Sequence, residues 1–134
     1  MGRYWNEEGG LSWVQEADAF DAQLAPFLPA LLELSAPQPG ERVLDVGCGA
    51  GALTVQVAQA VAPEGEVLGL DVSAPLAGLA ASRAEAAGAP ATFVVADAQT
   101  ADLSEHEPFD LLISRFGVMF FDDPVAAFTN LRGA

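Results

Sequence analysis

The chain has no lysine, one cysteine, one histidine and one tyrosine among its 134 residues. A single cysteine, Cys48, cannot close an internal disulfide, which fits a reducing cytoplasm. Five arginines stand against 19 acidic residues, for a formal net charge of −14. A surface of that sign repels phosphate backbones and argues against nucleic acid as a partner. The acidity serves solubility, and secondarily favours ligands that carry positive charge. No apolar run approaches the ~20 residues of a membrane span. The opening "MGRYWNEEGG" has no apolar centre of the kind a signal peptide needs. The expectation is a cytoplasmic, water-soluble protein with no membrane partner and no metal.

What is present describes one globular unit. With 51% apolar and 18% charged residues, 134 residues suffice for a single core. Residues 1–40 read as a helical cap and 41–134 as a core of alternating strands and helices. In Leu11–Ser35 the apolar residues Ala17, Phe20, Leu24, Phe27, Leu28, Leu31 and Leu32 recur at helical spacing. Ser12 is the expected N-cap, and Pro26 and Pro29 divide the stretch into two helices. "APQPGE" then leads into strands over Arg42–Val46, Glu66–Val72, Ala91–Asp97 and Phe109–Ser114. Helices are expected over Leu53–Val61, from Ser73 as cap to a stop at Gly88, and from Asp123–Pro124 to about Leu131. That alternation predicts an α/β fold, a Rossmann-like, mostly parallel sheet with helices on both faces. With only four strands, the sheet is expected to leave an open edge that invites pairing with a second copy.

The chemistry centres on "VLDVGCGAG", Val43–Gly51. Gly47, Gly49 and Gly51 permit positive φ and allow a ligand close to the main chain, just where a helix N-terminus begins. With Ala52, the stretch also fits the dinucleotide fingerprint G-x-G-x-x-G/A. Asp45, two residues before the first glycine, argues for another ligand: a carboxylate there repels a pyrophosphate and suits an ammonium or sulfonium. Its alternative role is a brace bonded to the loop, and the two are compatible. Asp71 ends the second strand 20 residues after Gly51, the place of an acid that grips ribose hydroxyls in NAD and adenosyl sites alike. An Asx-type turn before the next helix is its structural alternative. Asp97 and Ala98 end the third strand at the same sheet edge.

Taken together and in order, "VLDVGCGAG", "LGLDVS", "FVVADAQ" and "FDLLISRFGVMFF" resemble the class I S-adenosylmethionine-dependent methyltransferases, over about Arg42 to Arg132. The resemblance implies a glycine loop against the methionine part of the cofactor S-adenosyl-L-methionine. It also implies Asp71 and Val72 beside the ribose, Asp97 and Ala98 at the adenine, and Ser114 and Arg115 on the methyl-transfer side. "YWNEEGGLSWV" looks like the entry segment of bacterial small-molecule members, which helps cover the cofactor. Family members carry seven strands; the chain shows four of them.

Methyl transfer from a sulfonium is an in-line displacement in which positioning does much of the catalysis, and a base is needed only for a protonated acceptor. No catalytic residue is therefore assigned. His106, in the polar "SEHEP", reads as solvated surface, and Cys48 as filler between glycines. Phe116, Met119, Phe120 and Phe121 are core or an apolar acceptor pocket. Arg115 is paired with Asp122 or Asp123, or else holds a carboxylate of cofactor or substrate; Arg115 and Phe116 are the substrate-side candidates. Tyr4, Trp5 and Trp13 form a clasp for the N-terminal helices or a cover for the site. The reading is a methyltransferase acting on a small molecule, or its cofactor-binding part. The first alternative is a shortened, non-catalytic domain that self-associates. The second is an NAD(P)-dependent oxidoreductase, disfavoured by Asp45 and by the lack of a Tyr–Lys or His pair.

Overall fold

The computed structural model describes residues 3, 6–106, 108–114 and 124–132. Expectations for Tyr4, Trp5, Arg115, Phe116, Met119, Phe120, Phe121, Asp122 and Asp123 lie outside them. The chain enters through α1 (Glu8–Gln15), α2 (Ala17–Leu24) and α3 (Phe27–Ser35). It then alternates through β1 (Arg42–Val46), α4 (Ala52–Val61), β2 (Glu66–Asp71), α5 (Ala74–Ala87), β3 (Ala91–Val95), β4 (Leu111–Ile113) and α6 (Pro124–Arg132).

The N-terminal stretch is three helices rather than two. Ser12 lies inside α1, whose first residue follows Glu7 with no side-chain cap. The additional break falls at Glu16, where φ −106° and ψ 16° leave the helical region. The proline break is where expected: Pro26 precedes α3 and Pro29 sits in its first turn, where a missing N–H costs little. Ser73 caps α5 by accepting from the Leu76 N–H at 3.3 Å. Pro75 lies in that helix's first turn, and Gly88 ends it in the left-handed conformation at φ +64°.

Among the described residues the sheet has four parallel strands in the order β3-β2-β1-β4. β1 is central and buried on both faces, with Val43, Leu44 and Val46 at most 1% exposed, as befits a parallel strand covered on both sides. Its alternation divides the core. Val43 packs with Leu28, Leu53, Val57, Val61 and Val67 on one face. Leu44 and Val46 pack with Leu68, Leu70, Ala98, Leu103 and Leu131 on the other. Helices thus cover both faces, α3 and α4 on the first and α6 on the second.

The third and fourth strands are shorter than expected. β3 stops at Val95, because the chain turns at Asp97, whose carbonyl accepts from the N–H groups of Thr100 and Ala101. β4 keeps three residues in register with Val43–Asp45. Since the chain leaves β1 for β2 on one side and returns to β4 on the other, the order reverses beside β1. Crevices for ligands form at the carboxyl ends of strands at such a reversal.

Candidate functional site

Gly47 to Gly51 follow β1 directly at that reversal, and hydrogen bonds fix the loop from within. The N–H groups of Gly47 and Cys48 both donate to the Leu70 carbonyl, at 2.7 and 3.1 Å. The Gly49 N–H donates to Asp71 Oδ2 at 2.8 Å, and the Gly51 N–H to the Cys48 carbonyl at 3.1 Å. The amides of Gly47, Cys48 and Gly49 are therefore satisfied inside the protein and do not form the inward-facing nest of donors that grips phosphate. The loop presents a bare backbone edge instead. Gly49 has φ +55°, and a Cβ built there meets nothing within 4 Å. Gly51 differs: at φ +88° it packs under α5, where a Cβ would lie 2.9 Å from that of Ala80.

Asp71 closes the loop from β2. Its Oδ1 accepts from the Ser73 N–H at 2.8 Å while Oδ2 holds Gly49, so the expected Asx-type turn is present and the same carboxylate also reaches across to the glycines. Burial raises its pKa, an effect opposed by the N–H donors of Ser73, Gly49 and Val72. Three donors leave the carboxylate about one of its four lone-pair sites for a ligand hydroxyl.

Asp45 lies at the carboxyl half of β1, beneath the loop. It is 1% exposed, and its Oδ2 accepts from Thr54 Oγ1 of α4 at 2.7 Å. That contact is to a helix hydroxyl, and the charge of Asp45 acts on the site through space. Burial pushes the Cys48 thiol well above its ordinary value, and the carboxylates of Asp45 and Asp71 push it further. Cys48 is 8% exposed, and this setting favours its thiol over the thiolate.

The turn after β3 is built around Asp97, whose carboxylate accepts from the backbone N–H of Gln99 at 2.9 Å and from its Nε2 at 3.1 and 2.9 Å. Ala98 is buried at 4% exposure and packs in the core with Leu44 and Leu103. Its carbonyl and that of Ala101 accept from Asn130 Nδ2 of α6, each at 2.8 Å. Ser114 follows β4 and donates its hydroxyl to the Val46 carbonyl at 2.7 Å, across the reversal. Val72 is half-buried, and its carbonyl accepts from Asn6 Nδ2 at 2.6 Å. His106 is half-buried rather than fully solvated. It lines a small cavity with Arg42, Glu66, Thr92 and Phe109, at the amino ends of the strands and so away from the glycine loop.

The structure thus brings Gly47–Gly51, Asp71, Val72, Asp97 and Ser114 to one sheet edge, with Asp45 beneath it; Arg115 and Phe116 lie outside the described residues. Sequence reasoning missed Thr54, Gln99, Asn130, Asn6 and Arg83. Each acts by holding a site segment in place, and no local spacing marks such a contact.

A model of the methyltransferase domain family matches residues 43–134. The chain belongs to that family. Aklanonic acid methyltransferase DauC of Streptomyces sp. (strain C5) is 36% identical over 103 residues, 76% of this chain and 46% of that protein. Nocamycin O-methyltransferase of Saccharothrix syringae is 45% identical over 62 residues, 46% of this chain and 21% of that protein. The methyltransferase domain here therefore spans less than half the length of either relative. Among solved structures, magnesium protoporphyrin IX methyltransferase of Synechocystis PCC 6803, determined with bound SAH, superposes with a TM-score of 0.74. The match covers 98% of this chain and 64% of that one at 21% identity, a likeness of fold. The expected α/β, Rossmann-like architecture and the family resemblance are both borne out. No helix among the described residues is long and apolar enough to cross a membrane.

Proposed function

We propose that this methyltransferase domain binds S-adenosyl-L-methionine and serves transfer of its methyl group to a small molecule. One observation carries the reading: the amides of the glycine loop are occupied by Leu70 and Asp71, so the loop offers open space at Gly49 instead of a phosphate nest. A pyrophosphate there would meet two carboxylates, Asp45 and Asp71, and few free donors. A sulfonium and an ammonium meet the opposite field.

The residues fit the cofactor in kind. The cradle at Gly49 is the volume a Cβ would fill, and the remaining acceptor site of Asp71 takes a ribose hydroxyl. Val72 flanks the ribose, while Asp97, held rigid by Gln99, and the backbone at Ala98 face the adenine amino group. Gly47, Gly49 and Gly51 run alongside the methionine part, Asp45 adds negative potential from below, and Ser114 borders the methyl-transfer side. The bound cofactor supplies an electrophilic methyl group on a positively charged sulfur. The chain's part is to orient that group and keep competing donors away. Arg115 and Phe116 are assigned to the acceptor side. Residues 1–40 serve as a cap on the core of 41–134, in a reducing cytoplasm that suits the free Cys48. The relatives named for aklanonic acid and nocamycin support a small-molecule acceptor.

Calorimetric titration tests the reading: S-adenosylhomocysteine binds and NAD does not. Binding of NAD alone would move the chain to the oxidoreductases, and binding of neither by the folded chain would leave the non-catalytic alternative. Pairing between copies has its own support, because β3 and β4 end the described sheet with Val95 52% and Leu112 41% exposed. Light scattering then gives a dimer; a monomer over a hundredfold range of concentration refutes it.

A further inference from the structure

Arg83 is one of five cations in a chain of net charge −14, and it stands where the N-terminal helices meet the glycine loop. It lies on α5 one turn beyond Leu79. Its Nη1 donates to Asp21 Oδ2 of α2 at 2.6 Å and to the Ala50 carbonyl at 3.4 Å. Its Nη2 donates to Asp18 Oδ1 at 2.9 Å. The Asp18 side chain is fully exposed, whereas those of Arg83 and Asp21 are 26% and 24% exposed. Solvent therefore screens the Asp18 pair, and Asp21 is the partner with weight. Beneath the guanidinium, Ala17 and Ala50 pack with Leu76, and Trp13 and Val14 close the cluster.

A second tether reaches the other half of the site. The Asn6 side-chain amide donates to the Val72 carbonyl at 2.6 Å and accepts from the Ala74 N–H at 2.8 Å. It pairs with the backbone on both sides of Ser73, next to Asp71. The N-terminal segment is thus fastened to both backbone stretches that build the site, 48–51 and 71–74.

Resting on the cofactor reading above, we infer that Arg83 is a positioning residue: it links docking of the N-terminal helices to the conformation of the glycine loop. When α1 and α2 detach, Ala50 loses the helix packed on its methyl group, and the guanidinium on its carbonyl loses the carboxylate that orients it. The loop then samples more states, and a ligand must order it again. Because linkage is reciprocal, a ligand on the loop must also favour docked helices by the same factor.

The test is amide hydrogen exchange together with calorimetry on Arg83→Gln and Asp21→Asn. Ligand-free Arg83→Gln exchanges faster than wild type both in residues 6–24 and at Gly49 and Gly51, while β1 and β2 keep their protection. Its affinity for S-adenosylhomocysteine falls about 3–10-fold, and the same ligand slows exchange of residues 6–24 in the wild type. Asp21→Asn, which leaves the guanidinium in place, gives the same pattern at smaller amplitude. Faster exchange of the helices with unchanged loop amides in both variants would make Arg83 a helix staple and overturn the inference. So would unchanged affinity in a wild type that binds. If the wild type binds no S-adenosylhomocysteine but the loop amides still respond to Arg83→Gln, the cofactor reading fails and the coupling stands.

Discussion

Replacing Gly51 with alanine sets two separable costs against the fold. Gly51 sits at φ +88° immediately before α4, and a residue with a Cβ pays about 1–2 kcal/mol for left-handed backbone. The new methyl group would also lie 2.9 Å from Cβ and 3.1 Å from Cα of Ala80. Relieving a clash of that kind in packed surroundings costs a further ~1–3 kcal/mol. The sum, about 2–5 kcal/mol, is a large part of the roughly 5–15 kcal/mol that holds a domain together. With a slope of about 2 kcal/mol/M, urea unfolding followed by circular dichroism shows a midpoint lower by roughly 1–2.5 M at unchanged slope. Gly49→Ala is the control: it shares positive φ, at +55°, but its Cβ enters open space, so only the backbone cost of about 1–2 kcal/mol applies. That same methyl group fills the proposed cradle and lowers S-adenosylhomocysteine affinity at least tenfold. Adding Ala80→Gly to Gly51→Ala removes the Cβ contact and leaves the one to Cα, so it restores part of the crowding share, about 1–2 kcal/mol of coupling in a double-mutant cycle. Equal destabilisation by the two glycine variants, with no coupling to Ala80, would refute the argument from close approach.

Thr54→Val keeps the shape of the side chain but removes the hydroxyl from buried Asp45, and urea unfolding gives a loss of about 1–3 kcal/mol; a neutral result would mean that Asp45 does not depend on this donor. Cys48 stays unreactive toward a thiol reagent at about pH 8 in the native state and reacts fully in denaturant, because burial and the neighbouring carboxylates hold it as a thiol; prompt native labelling would contradict the site's electrostatics. Asp71 gives the pH dependence. Its folded pKa lies above 3.8, so between 3.8 and the raised value the native chain binds more protons than the unfolded one. Its contribution to stability is full below pH 3.8 and declines as pH rises through the folded pKa. Ligand affinity runs the other way, since ribose hydroxyls favour the carboxylate. Unfolding curves of wild type and Asp71→Asn from about pH 4 to 7 check the first part and titrations the second; parallel pH profiles in the two proteins would dismiss both.

The parts of the fold visible in sequence are those written in local chemistry. Ser73, Pro75 and Gly88 bound α5 because a cap hydroxyl, a fixed φ and a left-handed stop act within a few residues. β1 and β2 show as apolar runs because both of their faces are covered. The break at Glu16 shows no such sign, since glutamate is a good helix former. The residue after it, Ala17, packs with Ala50 and Leu76, far along the chain. The site divides in the same way. Asp71 and the glycines were legible from spacing to a strand end. Whether Asp45 faces a ligand or Thr54 depended on the turn of α4 over β1, and the restraint of Asp97 depended on the rotamer of Gln99. Both are matters of tertiary geometry.

The N-terminal tethers also have a temporal side. Asn6 finds its backbone partner 68 residues later at Ala74, and Asp18 and Asp21 find Arg83 after 65 and 62 residues. Translation at about 5–20 residues per second makes that an interval of roughly 3–14 s. During it, α1 and α2 have left the ribosome while the helix they rest on has yet to be made. Residues 6–21 thus find their partners only after β1, α4 and β2 have already emerged.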